Sequence, residues 1–453
     1  MFILLGAGVA RANGERITDV RVIGNLRTNE DTILSLAGVR INDTLEEETL
    51  GLVRERLNTS GLFADVNVWW ESHGDGVRVD IKVKDKFPWA PVPTGSWSAN
   101  NASLGLVFVH GNLFGRGKQA LIGARLARLD SGAVIVYRDP ALFGSWAYWE
   151  MKGVAQRQVI PEYNIGDSRR NPTSPWRQTT FDSFGIEPAL GVAWFRRVRT
   201  QVSWRMDRVT YVTGKERLFD PETGIELPLP PAPNAEALTS RGGKMGIGRA
   251  SLSLDWRSRE FAVMTGPALG GELEVAGSEF NSDFTFWRIG AHWEQGIRFF
   301  RRCNLIYSAG GTLAHDTPIW WDPTAGGNGL RGYLVQQFRG DTALGGHVEY
   351  HFPLFSVGSL DVRGLGFYDM AAVWNRSLPT TQTPSGYLIR TEDLRTFDPR
   401  YVALGFDRQR DLHNDVGVGL RFFLRSVAVP LVGFDAGYGL EAGVVRFILL
   451  VGA

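Results

Sequence analysis

The stretch ALGGHVEYHF, residues 343–352, decides the fold class of this chain. Its polarity alternates with a period of two, which is the spacing that places successive side chains on opposite faces of an extended strand. One face carries Leu344, Val348, Tyr350 and Phe352, and the other carries His347, Glu349 and His351. An amphipathic helix would need an apolar period near 3.6 residues instead. The stretch therefore predicts a β-strand with one apolar and one polar face.

Segments of the same kind recur from residue 92 to residue 453. Examples are SLGLVFVH, QALIGARLARL, RTQVSWRMDRVTYV and TFWRIGAHWEQ. Short turns and long loops alternate between them, and counting strands on each side of these connections gives about 16, an even number typical of outer-membrane barrels. We therefore predict an all-β transmembrane barrel of about 16 antiparallel strands over residues 92–453. The alternative is one or two soluble β-sandwiches, in which turns are spaced more evenly and fewer tryptophans flank the strands.

Composition excludes several other classes of protein. The 453 residues include 49 Lys+Arg and 48 Asp+Glu, and a net charge of +1 argues against a nucleic-acid-binding surface. No apolar run is long enough for a transmembrane helix. The single cysteine, Cys303, excludes an internal disulfide framework and is interpreted as a small strand residue.

The first residues resemble the remnant of an export signal. Phe2 to Ala10 form a short apolar run, and Ala10-Arg11-Ala12 fits a cleavage site with small residues. The basic segment that usually begins such a signal is missing, so a flexible N-terminus is the alternative. Residues 1–12 are predicted to be a possible signal-peptide remnant.

Residues 17–87 are predicted to form a separate α+β module. The stretch ITDVRVIG alternates as a strand, two short helical segments follow, and LFADVNVWW and GVRVDIKVKD alternate as two further strands. The predicted order is strand, helix, helix, strand, strand. A small α+β domain of general type is one interpretation of this order.

No catalytic motif is present in the sequence. There is no G-x-S-x-G, no H-E-x-x-H and no Walker A sequence, so we predict no enzymatic activity and no cofactor. His347, Glu349 and His351 lie on one strand face and could bind zinc or copper. Ordinary polarity of a barrel lumen explains the same pattern without a metal, and no fourth ligand is evident.

The N-terminal module resembles a POTRA domain. The stretch VIGN in the first strand and SGLFADVNV after the second helix carry this resemblance. It implies a single POTRA domain at residues 17–87 that lies in the periplasm and binds client chains by pairing with a strand edge. The residues expected to contact clients are Val66, Val68, Val79 and Ile81.

The rest of the chain resembles the BamA/TamA superfamily of outer-membrane insertases and translocators, also known as bacterial surface antigen barrels. The stretch GLRGY at 329–333 resembles the signature loop of this superfamily. Further similar stretches are NLFGRGK at 112–118, LDWRSREFAVMTGPALGGELE at 254–274, GGHVEYHFPL at 345–354 and GFYDMAAVW at 366–374. The resemblance implies an outer-membrane barrel that is a short member of the superfamily.

The resemblance also implies a role for Arg331. In these barrels the signature loop folds into the lumen, where acidic side chains hold its arginine, so loop 314–341 is expected there with Arg331, Gly332 and Tyr333. Strand parity places Glu349 and Asp369 on lumen-facing positions, and a guanidinium can bind such carboxylates bidentately. The alternative is an exposed loop arginine without a partner.

The function implied is insertion of outer-membrane proteins or translocation of polypeptides. The family uses a weak seam between the first and last strands, here near 92–98 and 442–452, and two prolines weaken the first. The implied partners are the lipid bilayer, unfolded or exported polypeptides, and accessory periplasmic proteins or lipoproteins, with no nucleic acid. The alternatives are a dedicated translocator of one exported partner and a passive pore. Ala453, where relatives usually end in an aromatic residue, departs from the family pattern.

Overall fold

The structure is a computed structural model. It describes residues 14–46, 48–142, 146–163, 175, 177–194, 197–212, 217–219, 223, 225–227, 242–260, 262–300, 302–377, 380–383, 386–389, 404–424 and 430–452. The predicted signal remnant at residues 1–12 lies outside this part of the chain. Among the described helices, none has the length and apolar character that crossing a membrane requires.

The N-terminal module is a four-stranded sheet with two helices. Its elements are β1 (Glu15–Ile23), α1 (Glu30–Ala37), β2 (Thr44–Leu45), α2 (Thr49–Thr59), β3 (Phe63–His73) and β4 (Gly76–Asp85). The strand order is β2-β1-β4-β3, in which β1 and β4 are parallel and the other neighbours antiparallel. The helix α1 ends at Gly38, whose left-handed backbone conformation glycine adopts without steric cost. The strand β3 forms the longer of the two sheet edges.

The core of this module contains all four residues that the sequence suggested for client contact. Val66, Val68, Val79 and Ile81 are at most 5% exposed, because they lie on the sheet face that packs against the helices. Val79 and Ile81 are also on β4, whose two neighbours use both of its edges. Their side chains are therefore part of the core, and client contact at these four residues stays a prediction. An added strand could pair with the backbone edge of β3.

The remaining strands form a closed barrel with small additions. They are β5 (Trp89–Trp97), β6 (Ala102–Leu113), β7 (Lys118–Ala127), β8 (Asp130–Asp139), β9 (Ala147–Glu162), β10 (Arg177–Trp194), β11 (Val198–Tyr211), β12 (Arg217–Phe219), β13 (Glu226–Leu227), β14 (Gly243–Asp255), β15 (Ser258–Glu260), β16 (Val263–Ala276), β17 (Phe286–Phe299), β18 (Cys303–His315), β19 (Thr324–Ala325), β20 (Phe338–Arg339), β21 (Thr342–Val357), β22 (Leu360–Trp374), β23 (Thr380–Thr383), β24 (Gly386–Ile389), β25 (Leu412–Leu424), β26 (Pro430–Gly439) and β27 (Val444–Val451). A third, four-residue helix, α3, spans Arg408–Asp411.

Sixteen long antiparallel strands make the barrel wall in the described part of the chain. The closed sheet contains 19 strands, and removing the short strands β12, β13 and β15 leaves 16. The hairpins β19–β20 and β23–β24 stand apart from the wall. The prediction of an antiparallel barrel of about 16 strands is confirmed.

The two faces of the wall differ in chemistry. Val348 and Tyr350 on β21 and Met370 on β22 are at least 40% exposed on the outer face. Asp369, which precedes Met370 on β22 and pairs with His347, is 1% exposed on the inner face. An apolar outer face and a polar inner face are expected for a barrel surrounded by lipid. The alternation therefore assigns each strand residue to lipid or to lumen.

Several strands extend further than the sequence indicated. The loop expected at 157–178 is shortened from both ends, because β9 continues to Glu162 and β10 begins at Arg177. The loop expected at 314–341 begins two residues later, after His315. Alternation continues past the bilayer-facing part of a strand wherever neighbouring strands still offer backbone partners.

Candidate functional site

The long loop between β18 and β21 carries the charged residue that the sequence singled out. A short ladder of β19 with β20 closes residues 326–337 into a lobe. At the start of this lobe, Gly326 and Gly327 have φ angles of 119° and 71°, which other residues rarely adopt. A turn in which Leu330 donates to the carbonyl of Gly327 then presents Arg331. The guanidinium is consequently buried, with Arg331 only 4% exposed.

Arg331 binds inward-facing carboxylates of three strands. Its Nε and Nη2 donate to the two oxygens of Asp369 on β22, at 2.8 and 2.7 Å. Its Nη1 lies 2.7 Å from Glu349 on β21 and 3.4 Å from Asp435 on β26. The guanidinium also lies 3.4 Å from the centre of the Phe367 ring, close enough for a cation–π contact. The structure thus brings Arg331, Glu349 and Asp369 together on the inner wall.

Two further carboxylates complete this cluster, and the sequence analysis did not identify them. Asp435 also binds Arg421, at 2.5 Å, and Asp415 on β25 accepts a hydrogen bond of 2.8 Å from the backbone of Gly332. Asp415 is the direct cross-strand partner of Asp369. The parity argument that selected Asp369 would have selected Asp415 and Asp435, because both alternate with lipid-facing apolar residues.

The backbone of the loop approaches the wall so closely that only glycine fits. A Cβ atom added to Gly332 would lie 2.5 Å from the nitrogen and 2.7 Å from the Cα of Gly439 on β26. Gly437 on the same strand faces the backbone of Arg331, where a Cβ would lie 2.9 Å from the carbonyl carbon. Small residues on both surfaces therefore set the depth to which the loop sits.

Tyr333 anchors the same lobe at a second point. Its hydroxyl donates to Glu441, in the turn between β26 and β27, and lies 3.3 Å from the carbonyl of Asn414. Burial alone would raise the pKa of Glu441, but hydrogen bonds from Tyr333 and Asn414 outweigh burial and lower the pKa below its usual range. The ring packs edge-on against Phe338, which stacks on His413 with ring centres 3.6 Å apart.

The opposite wall of the barrel holds the beginning of the loop. Trp320 packs against Phe181 and Phe284, with ring centres 4.6 and 5.5 Å away. The indole N–H of Trp321 donates to Glu274 on β16 at 2.8 Å. The guanidinium of Arg205 on β11 lies 4.9 Å from the centre of the Trp321 ring. The loop is therefore attached at its beginning to the wall between β10 and β17, and at Arg331 and Gly332 to β21, β22, β25 and β26.

The three residues considered as metal ligands have other partners. Glu349 binds Arg331 and accepts a contact of 2.7 Å from His351, while His347 lies 2.9 Å from the hydroxyl of Ser308. Within the described ranges, no group of three or more His, Cys, Asp or Glu side chains has the arrangement of a metal site.

The barrel closes through a short seam. Only three residue pairs join β27 to β5, namely Leu449 with Trp97, Leu450 with Ser96 and Val451 with Gly95. On its other side, β27 pairs with β26 through eight residues. Because each pair contributes to the ladder, the seam is the weakest of the junctions that β27 makes.

Comparison with known proteins identifies the family. The family model described as the Omp85 superfamily domain matches residues 112–432, which is well over half of the chain. No curated protein matches the sequence.

Solved structures share the fold at low sequence identity. BamA from Haemophilus ducreyi lacking POTRA domains 1–3 is 12% identical, with a TM-score of 0.68 over 96% of this chain and 84% of that chain. CdiB from Escherichia coli is 12% identical, with a TM-score of 0.54 over 100% and 92%. CdiB from Acinetobacter baumannii is 12% identical, with a TM-score of 0.56 over 97% and 74%. The predicted resemblance to the BamA/TamA-type superfamily is confirmed, and the chain belongs to the Omp85 superfamily of outer-membrane β-barrels.

Proposed function

We propose that this barrel inserts outer-membrane proteins or translocates polypeptides, that it does so without catalysis, and that the β27–β5 seam is where it acts. The three-pair seam is the observation that carries this proposal. Separating β27 from β5 breaks far fewer backbone contacts than separating β27 from β26 would break. The exposed strand edges could then pair with an incoming chain, since an unpaired edge is a template for another strand.

The N-terminal module fits the role of a single POTRA domain at residues 17–87 in the periplasm. Its strand order leaves the 11-residue strand β3 at one edge of the sheet. An extended client, or an accessory periplasmic protein or lipoprotein, could pair with this edge by β-augmentation. In this proposal the module delivers a client to the barrel at residues 92–453.

The loop 314–341 is proposed to act as the lumen closure. The loop is bound to the inner wall through Arg331, Gly332 and Tyr333. The carboxylates of Glu349 and Asp369 form ion pairs with Arg331. A loop held at both walls would keep the lumen from conducting as an open pore while the seam remains available. The proposal therefore distinguishes an insertase or translocator from a passive pore, which should give large and steady currents in planar bilayers.

A reversible crosslink across the seam tests the function. Ser96 and Leu450 are direct partners, so the S96C/L450C variant, with Cys303 replaced by serine, can form a disulfide there. The purified protein in vesicles should speed the insertion of a urea-unfolded eight-stranded barrel. Oxidation should slow insertion at least tenfold, and a reducing agent should restore the rate.

The matched control joins two neighbouring strands away from the seam. Val418 and Ala436 are partners on β25 and β26, and a disulfide between them should leave insertion unchanged. Undiminished insertion by the oxidised seam variant would contradict the proposal. A vesicle assay in which only one exported partner is moved, and no barrel is inserted, would favour a dedicated translocator.

A further inference from the structure

The outer face of the barrel has a groove where β18, β21 and β22 lie side by side. Its floor includes Ala309 and Gly346, which are direct partners in the ladder and have small side chains or none. Leu344 and Val348 lie two residues to either side of Gly346 on the same face, and both are more than 40% exposed. These larger side chains border a groove of about 700 Å³.

The groove is about as long as one leaflet of a bilayer is deep. It is lined by Val348 and its partner Tyr368 at one end, and by Trp374 and Phe406 at the other. Trp374 lies six residues after Tyr368 on β22, which corresponds to about 20 Å of strand. A strand tilted by about 45° descends about 14 Å over this distance, close to half of a hydrocarbon core about 30 Å thick. Tryptophan is enriched at the level of lipid headgroups, so the Trp374 end is expected there.

The chemistry of the groove favours a lipid chain over a polypeptide. In the described part of the chain, each of the three strands pairs with neighbours along both edges, so the backbone offers no free edge to a further strand here. Most of the lining side chains are apolar or aromatic. The groove is also continuous with the lipid-facing surface of the barrel, which acyl chains of the bilayer surround.

One wall of the groove is connected to the lumen loop by hydrogen bonds. The Tyr368 hydroxyl donates to Oδ1 of Asn414 at 2.7 Å. The side-chain Nδ2 of Asn414 donates to Glu441 at 2.7 Å, and its backbone N–H donates to the other carboxylate oxygen at 2.9 Å. Glu441 also accepts the hydrogen bond from the Tyr333 hydroxyl. A continuous chain of hydrogen bonds therefore joins the lipid-facing surface to the loop anchor.

The order of donors and acceptors fixes the direction of this chain. A carboxylate only accepts hydrogen bonds, so Asn414 turns its NH2 group toward Glu441 and its carbonyl oxygen toward Tyr368. A hydroxyl surrounded by hydrocarbon needs a partner, because an unpaired polar group there is costly. An acyl chain over the Tyr368 ring excludes water and leaves Asn414 as the acceptor of the hydroxyl. Lipid in the groove thereby holds Asn414 in the orientation that binds Glu441.

We propose that this groove binds an acyl chain of a surrounding membrane lipid, and that the lipid stabilises the Tyr333 anchor of the lumen loop through Tyr368, Asn414 and Glu441. A coupling between two sites is reciprocal. An intact loop anchor should therefore strengthen lipid binding as much as lipid strengthens the anchor. The tests involve no client protein, so they do not depend on the insertion activity proposed above.

Photolabelling in vesicles tests whether the groove holds an acyl chain. The probe is a phosphatidylethanolamine with a diazirine in one acyl chain, mixed with unlabelled phospholipid around the whole chain. The comparison surface is the outer face of β10 and β11, where Leu190 and its partner Val202 are 58% and 60% exposed. Peptides of β21 and β22 should take at least three times more label than peptides of β10 and β11. Labelling in proportion to exposure would overturn the proposal.

Two tryptophan substitutions test the groove as the binding site. V348W places a bulky ring in the groove and should lower its labelling at least fivefold. V202W adds the same ring to the comparison surface and should change the labelling of the groove less than twofold. Equal effects of the two substitutions on the groove would contradict a specific site. If V348W does not fold, the comparison between the two surfaces of the unmodified protein still decides.

A spin label on the loop tests the connection through Tyr368. An added Cβ at Gly329 meets no atom within 4 Å, so G329C, with Cys303 replaced by serine, can carry a nitroxide. Y368F removes the hydroxyl that donates to Asn414. In vesicles, this substitution should at least double the mobile fraction of the label, because the anchor of Tyr333 loses its support.

The matched control for the spin-label measurement is Y307F. Tyr307 lies on the outer face of β18, where it pairs with Val348, and its ring packs against Trp293. The substitution removes a hydroxyl from the same face and keeps the ring, so the mobile fraction should stay unchanged. Equal mobility of the label in Y368F and Y307F would overturn the connection.

Reciprocity allows the coupling to be measured from the side of the loop. E441Q replaces the carboxylate that binds Tyr333 and Asn414 with an amide, at a position that does not line the groove. This substitution should lower the acyl labelling of the groove at least twofold and leave the labelling of the comparison surface unchanged. If E441Q changes neither, the groove binds lipid without stabilising the loop, and the proposed coupling falls.

Discussion

Arg331 and Asp369 form a two-bond ion pair in which Nε and Nη2 of the guanidinium bind the two oxygens of one carboxylate, at 2.8 and 2.7 Å. The pair joins the tip of a long loop to the inner wall at β22, and both residues are almost fully buried. Glu349 and Asp435 add negative charge on either side. The cluster therefore depends on the arginine, since its removal would leave carboxylates facing one another.

The R331A substitution should release the loop tip. A buried ion pair that loses one member costs about 3–5 kcal/mol, because the remaining charge stays buried without compensation. Urea unfolding in detergent micelles should show a loss of this size, and the variant should conduct more current in planar bilayers. R331K should recover little, because an ammonium cannot bind a carboxylate bidentately.

The control for this variant is R298A. Arg298 pairs with Glu260 at the barrel rim, where both side chains are more than a third exposed. Exposed pairs contribute less than about 1 kcal/mol, so stability and conductance should change little. Equal effects of R331A and R298A would contradict the role assigned to the buried pair.

Two glycines in the same loop give a matched steric test. A Cβ on Gly332 would lie within 2.8 Å of Gly439 and of the Cβ of Asp415, whereas a Cβ on Gly329 has no atom within 4 Å. Overpacking of this kind costs about 1–3 kcal/mol. G332A should therefore destabilise the protein and raise conductance, and G329A should do neither. A G332A protein with the stability and conductance of the unmodified chain would show that the loop does not need this close contact.

Much of the barrel was predictable because period-two alternation is a local property of the sequence. Alternation along β21 and β22 predicted that these segments are strands, and it also predicted that Asp369 points inward. Both predictions follow from neighbouring residues alone. Strand ends were less predictable. The ends of β9 and β18 depend on how far their neighbouring strands extend, which the alternation within one strand does not show.

The remaining members of the lumen cluster depend on tertiary packing. Asp415 and Asp435 become partners of the loop only because β25 and β26 follow β22 around the wall. Trp321 was not predictable as an anchor, because Arg205 and Glu274 lie on strands far from it in sequence. In the module, alternation identified Val79 and Ile81 as strand residues but not the face that the helices cover.

Trp321 should help to hold the loop at the wall opposite Arg331. W321F removes the N–H that donates to the buried carboxylate of Glu274, and hydrogen bonds to charged groups contribute about 1.5–3 kcal/mol. Urea unfolding should show a loss in this range. The control is W293F on the lipid-facing side of β17, where the side chain is 37% exposed. A change below about 0.5 kcal/mol is expected, because phenylalanine keeps an aromatic ring beside Tyr307.

The two anchors should also interact energetically. Both anchors hold the same loop. Releasing the loop at one wall therefore lowers the free energy of stabilisation that the other anchor contributes. The combined W321F/R331A variant should lose less stability than the sum of the single losses, by about 0.5–3 kcal/mol for coupled sites. Strict additivity would indicate that the two attachments act on separate parts of the loop.

The contact between Tyr333 and Glu441 should make the loop anchor sensitive to pH. The folded-state pKa of Glu441 is lowered, because hydrogen bonds from Tyr333 and Asn414 to the carboxylate outweigh the effect of burial. A group with a lowered folded pKa stabilises the protein fully above its unfolded pKa, about 4.3 for glutamate, and this contribution is lost as the pH falls through the folded value. The unmodified protein should therefore exceed E441Q in stability above about pH 5, and the difference should shrink toward pH 3.

Urea unfolding of both proteins from pH 7 to pH 3 measures this difference directly. Other carboxylates titrate in both proteins, so their contribution cancels in the comparison. Y333F is the matched variant, because it removes the hydroxyl that donates to Glu441 and leaves the carboxylate in place. The difference in unfolding free energy between Y333F and E441Q should vary less with pH than the difference between the unmodified protein and E441Q. A difference between the unmodified protein and E441Q that stays constant, or grows as the pH falls, would show that Glu441 does not anchor the loop as a carboxylate.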